Sequence, residues 1–111
     1  MWHSFENGKT IGQVGSERGI TIRDDEHADG ARISLERDAT SASYAITCGI
    51  YGWMVHTRFF GEKAKSEMEF DRMREEIGRI MAKIPLKSDP KVEERAEEVE
   101  ESIRRFVKMF P

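Results

Sequence analysis

The sequence predicts an α+β fold. An antiparallel β-sheet of four to six strands occupies residues ~2–60, and a C-terminal antiparallel helical hairpin (~62–84 and ~90–110) packs on one of its faces. Three observations carry this. Tyr44–Phe60 contains no Asp, Glu or Lys in a chain that is 35% charged, and it is rich in β-branched and aromatic residues, as strands are. After residue 61 the apolar residues instead recur at three- and four-residue steps, the period of an amphipathic helix. The link between the two helical stripes, Pro85–Ser88, is short enough to make them antiparallel neighbours. At 111 residues the chain reads as a single domain, 1–111.

Taken in order, Asn7-Gly8 is a tight-turn dipeptide. It would join a strand Trp2–Glu6 to a strand Lys9–Val14, with Glu6 opposite Lys9; a loose N-terminal turn is the alternative. Gly15–Gly19 is the next turn, with Gly19 expected in the left-handed backbone region. Ile20–Arg23 and Arg32–Arg37 alternate apolar and polar, so each should have one buried face. A two-residue loop at Asp29-Gly30 would set Asp24 against Leu35 and Glu26 against Ile33, which buries carboxylates. A longer acidic loop, Asp25–Gly30, pairs Ile22 with Ile33 and Ile20 with Leu35, and this is the register expected. A one-residue slip would move every side chain to the other face.

Asp38–Ser41 turns the chain into the central stretch. A two-residue loop at Ile50-Tyr51 pairs Cys48 with Trp53, Ile46 with Val55 and Tyr44 with Thr57. One face then carries Tyr44, Ile46, Cys48, Trp53, Val55 and Phe59; the other carries Ala45, Thr47, Met54, His56 and Arg58. Ile and Tyr suit such a tight turn poorly, and one long strand bent at its glycines is the alternative.

The helices follow. Ser66-Glu67-Met68-Glu69 has capping-box form, although Lys63–Lys65 is also compatible with helix. Phe70, Met73, Ile77, Ile80, Met81 and Ile84 make one stripe, which Pro85 ends. Asp89-Pro90 starts the second helix as N-cap and first helical residue. Val92, Ala96, Val99, Ile103, Phe106, Val107 and Phe110 line its apolar side. Glutamates fill the first half of its outer face and Arg104, Arg105 and Lys108 the last turns, as the helix dipole favours. Trp2, Phe5 and Phe110 are expected to pack onto the fold.

Composition narrows the function. A net charge of −3 argues against a nucleic-acid partner. No run approaches the roughly 18–20 apolar residues of a membrane span, and Met-Trp-His-Ser-Phe-Glu lacks the form of a signal peptide. One cysteine, Cys48, excludes an internal disulfide. A reducing cytoplasm is the expected location.

Candidate sites are few. Cys48 and His56 have the chemistry of a thiol nucleophile and its base, but the expected register puts them on opposite faces, leaving a core cysteine. Asp24, Asp25, Glu26, His27 and Asp29 match no metal-loop spacing and read as a solvated hairpin tip, so neither a metal nor a cofactor is expected. Met1-Trp2-His3 has the donors of a square-planar copper or nickel site, unless its amine is tied into the fold. Arg23 falls opposite Arg32 on the face away from the helices, with His56 and Arg58 on that same side. Like charges so placed are destabilising unless an anion lies between them or Glu36 or the adjacent acidic loop neutralises them. Ile50 and Tyr51 are expected at a hairpin tip and Phe106 and Phe110 in an apolar last turn. These four are candidate contacts with a partner protein or a second copy; the alternative for Phe106 and Phe110 is that they close the core.

The expectation is therefore a small, soluble, non-enzymatic binding module acting through a protein–protein surface. The alternative is a binding protein or enzyme for a small anionic ligand, using Arg23, Arg32, His56 and Arg58 on the open sheet face.

Overall fold

A computed structural model of the chain describes all residues, Met1–Pro111. Five antiparallel strands form one sheet in sequence order: β1 (Trp2–Ser4), β2 (Ile20–His27), β3 (Ala31–Arg37), β4 (Tyr44–Ile50) and β5 (Met54–Phe60). Two helices, α1 (Lys63–Met81) and α2 (Val92–Met109), form the C-terminal hairpin packed on the sheet, so the fold is α+β. The core lies between the layers. Ile33 and Leu35 of β3 and Ile46, Cys48 and Ile50 of β4 meet Phe70, Met73 and Ile77 of α1, and Val99, Phe106 and Phe110 close it from the α2 side. Each such apolar side chain contributes about 1.5–3 kcal/mol on burial, so this layer dominates stability.

The helix ends depart by a few residues from expectation. Ser66 lies inside the first turn of α1, its Oγ donating to the Lys63 carbonyl at 2.7 Å. The helix stops at Met81, before Ile84. Asp89 precedes α2, where its Oδ1 accepts from the Lys91 N–H at 2.8 Å.

Four sheet expectations are corrected. First, Lys9–Val14 is not a strand. Glu6, Asn7 and Gly8 all take left-handed backbone, and residues 9–19 cross the sheet as a loop with one isolated β-bridge, Val14–Ile20, and backbone hydrogen bonds linking Gly12 and Gln13 to Thr21. Second, Arg18 and not Gly19 adopts the left-handed conformation in the following turn. Gly19 is required for a different reason: a Cβ there would come within 2.5 Å of the Arg37 carbonyl.

Third, β2 and β3 are joined by a three-residue loop, Ala28–Gly30, which pairs Arg23 with Leu35 and Asp25 with Ile33. Asp25, expected in the acidic loop, is placed under the helices by this register and is paired from above: Arg74 donates to it at 2.7 Å. Arg23 lies over the Phe70 ring and bridges Asp71 at 3.0 Å. A bulge between Thr21 and Arg23 restores Ile22 to the core side.

Fourth, the turn after β4 is Tyr51-Gly52-Trp53, pairing Ile50 with Met54 and Cys48 with His56. Gly52 takes a φ of 84°, open to glycine at little cost. The three-residue loop reverses every side chain of β5 relative to the two-residue loop. Met54, His56, Arg58 and Phe60 therefore lie on the helix side, while Val55 is 79% exposed and Phe59 47%. Ile50 is accordingly core and not hairpin tip.

Candidate functional site

The face turned away from the helices carries a trough of about 860 Å³. Its floor is set by strand alternation. Asp24 pairs with Ser34, Ser34 with Thr47, and Arg32 with Gly49. The β4–β5 turn forms one wall with Tyr51 and Trp53; Val14, Gly15 and Ser16 of the long loop form another, and Val55 rims the edge.

The loop wall is held by Glu36. This side chain is fully buried on the open face, where its carboxylate accepts the Gly19 N–H at 2.9 Å and the Glu17 N–H at 3.1 and 3.2 Å. Backbone donors thus replace the water that a buried carboxylate would otherwise need. The loop bends tightly around this anchor. Thr10 adds a second tie, its hydroxyl donating to Asp24 at 2.8 Å.

Asp24 and Arg32 form a bidentate pair on the floor, Nε to Oδ1 at 2.9 Å and Nη2 to Oδ2 at 2.6 Å. The guanidinium stacks on Phe5 at 3.6 Å. The bond to Asp24 raises the Arg32 pKa against the opposing effect of burial. Beside the pair, the Tyr51 hydroxyl donates to Glu26 at 2.8 Å, and His3 Nε2 lies 3.2 Å from the same carboxylate. Burial, followed by the Glu26 bond, pushes the Tyr51 phenol up to about 12. Two carboxylates, Asp24 and Glu26, face one guanidinium, a local formal charge of −1.

The four residues expected to form an anion cluster are not brought together there. Only Arg32 lies on the open face. Arg23 is under α1, while His56 and Arg58 point to the helix side. His56 Nε2 bonds the Phe110 carbonyl. Arg58 bonds the Pro111 carbonyl at 3.2 Å and Glu69 at 3.2 Å. Burial pushes the Glu69 carboxyl up, but Arg72 and Arg58 outweigh it and hold the pKa below its ordinary value.

Of the expected partner contacts, Tyr51 is exposed at its turn, whereas Ile50, Phe106 and Phe110 are buried. Phe106 and Phe110 pack on each other at 4.9 Å between ring centroids and close the core.

Cys48 and His56 are directly opposite across β4 and β5, contrary to the expected register. The thiol is still no nucleophile: Cys48 is 1% exposed, and burial pushes its pKa up to about 12 despite nearby Arg58. Asp24–His27 are strand, so their side chains alternate between faces, and Asp29 sits in the loop beyond; no group of three or more His, Cys, Asp or Glu converges. The Met1 amine bonds His27 at 2.8 Å, so the amine and His3 do not share a copper-type site. No helix is long and apolar enough to cross a membrane.

The trough itself escaped sequence reasoning because its wall depends on the Glu36 anchor. A glutamate at an otherwise alternating strand position, within reach of a glycine-bounded turn, was the available signal. No protein-family model matches the chain, and no curated protein or solved structure is significantly similar to it. Function is accordingly argued from the site.

Proposed function

We propose that this chain is a non-enzymatic binding module whose working surface is the open sheet face, and that the trough takes a small, uncharged ligand with both polar and apolar parts. The trough is the observation that carries this reading. Its volume of about 860 Å³ falls in the roughly 300–1,000 Å³ range of small-molecule sites. The hydroxyls of Ser34 and Thr47 and the Asp24–Arg32 pair supply hydrogen-bonding groups, and Trp53, Val14 and Val55 supply apolar walls. The local charge of −1 does not favour an anion, because Asp24 already engages the one guanidinium present. Binding is favoured over catalysis because the one thiol, Cys48, is 1% exposed and turned to the helix side, and no group of three or more His, Cys, Asp or Glu converges on the trough. The expectation of a protein partner is supported by a different part of the same surface, the β5 edge.

The test is protein-observed NMR with a library of neutral fragments, run beside phosphate, sulfate and small carboxylates. Neutral fragments should shift the amides of Ser34, Thr47 and Gly49 and the Trp53 indole, and Ser34→Phe, which fills the floor, should abolish those shifts. Shifts at these positions from the anions alone, or no response there from any fragment, would overturn the proposal.

A further inference from the structure

The two edges of the sheet are treated differently. The β1 edge is three residues long and ends in left-handed turn residues, and its neighbour β2 is bulged. Short edges and bulges prevent strands from adding to a sheet. The β5 edge has neither protection. Its seven residues pair with β4 without a break in register. Outside the ladder and the helices, none of the backbone hydrogen bonds involves residues 54–60. In an antiparallel ladder every second residue of an edge strand turns its N–H and C=O outward, so this edge presents free donors and acceptors.

Natural edges are commonly blunted with Lys, Pro or other charged side chains. Met54–Phe60 contains no Lys, Asp, Glu or Pro. Its one guanidinium, Arg58, is on the helix side, bonded to Glu69 and the Pro111 carbonyl. On the open side the strand shows Val55, Thr57 and Phe59 in turn, with Val55 79% and Phe59 47% exposed.

We propose that two copies of this chain associate through their β5 edges, antiparallel about a two-fold axis at Thr57, to make a continuous ten-stranded sheet. This register sets Val55 of each copy against Phe59 of the other, so both exposed apolar side chains of each copy find a partner. Centring on His56 would set Val55 against Thr57 and Phe59 against Trp53 of the turn, outside the strand; centring on Arg58 would set the guanidiniums against each other. A two-fold contact must be self-complementary in this way. On the helix side His56 meets Arg58, and each is already bonded within its own chain. No carboxylate or ammonium lies on the strand to oppose the approach. Covering Phe59 and Val55 in each copy, with the edge between them, removes on the order of 1,000 Å² in total, the lower limit for a specific interface. The dimer is therefore weak and concentration-dependent. Because Val55 also rims the trough, the second copy's Phe59 closes that rim.

Sedimentation equilibrium over roughly micromolar to millimolar protein tests this independently of any ligand. The weight-average mass should rise from 12.8 kDa towards twice that value. Val55→Lys should weaken association at least about tenfold, roughly 1.4 kcal/mol, without lowering the Tm of dilute protein, since the side chain it replaces is largely in solvent. Thr57→Cys should be joined to a second copy by a short bis-maleimide, with Cys48 silent because it is buried. Leu86→Cys, on the exposed interhelical link, should not. A monomer at every concentration, whatever peptide it captures, would overturn the proposal. So would a dimer indifferent to Val55→Lys, or equal cross-linking of the two cysteine variants.

Discussion

Removing the Glu36 carboxylate should cost more than the loss of any exposed ion pair of the molecule. Glu36→Ala leaves two backbone N–H groups, those of Gly19 and Glu17, without acceptors. A buried donor left unpaired costs about 1–3 kcal/mol. Gly19 is buried and bears the upper part of that range, whereas Glu17 is half-buried and water can replace part of its bond. The sum is roughly 3 kcal/mol. For 111 residues the unfolding entropy near Tm is about 0.23 kcal/mol/K, so Tm should fall by about 13 °C. Glu36→Gln keeps one carbonyl oxygen but turns an amide NH2 towards the same donors, and should cost about half as much. Urea unfolding gives the free energies. Hydrogen exchange reads the mechanism: the Glu17 and Gly19 amides should lose protection well before those of β3 and β4. A Glu36→Ala loss below about 0.5 kcal/mol, or unchanged protection at those two amides, would refute the idea that one carboxylate pins the loop.

Three further outcomes are expected. Burial, then the nearby Met1 amine, lowers the His27 pKa below its ordinary 6.5. Its contribution to stability is therefore complete above pH 6.5 and is lost as pH falls towards the folded value, by at most about 1.4 kcal/mol per unit; urea midpoints at pH 7.5 and 5.5 should converge in His27→Gln, and a wild type flat across that window would contradict this. Arg58→Ala leaves the nearly buried Glu69 with only the exposed Arg72 and should cost about 3 kcal/mol, with Glu69→Gln in the same chain recovering part of it; additive losses in a double-mutant cycle would show no coupling. Cys48 should resist aromatic disulfide reagents at pH 8 in folded protein and react only as fast as the core opens, so rapid labelling without denaturant would show an accessible thiol.

The helices and the buried face of β4 were legible because their signals are local: apolar steps of three and four, Pro85 as a stop, and Ile46 and Cys48 two residues apart. Both hairpin registers were not. Asp25, assigned to a solvated loop, lies beneath the helices because Arg74, 49 positions away, pairs with it. His56 and Arg58, assigned to the open face, find acceptors on the helix side in the carbonyls of Phe110 and Pro111. Polar residues on a buried face are misread when their partners arrive from distant chain. Loop length compounded the error: both hairpins use three residues where two or six were expected, and in β5 the odd number inverted the strand. The candidate site was lost with the registers, since residues assigned to one cluster lie on opposite sides of the sheet.

The order of the elements has a consequence during synthesis. All five strands precede both helices, so the sheet leaves the ribosome before anything exists to cover Ile33, Leu35 and Ile46. At about 5–20 residues per second, the 21 residues from Gly61 to Met81 take roughly one to four seconds. Hairpins form in microseconds, so a nascent sheet has ample time to assemble with one greasy side bare. During that interval the uncovered face is open to aggregation, until α1 emerges to cover it.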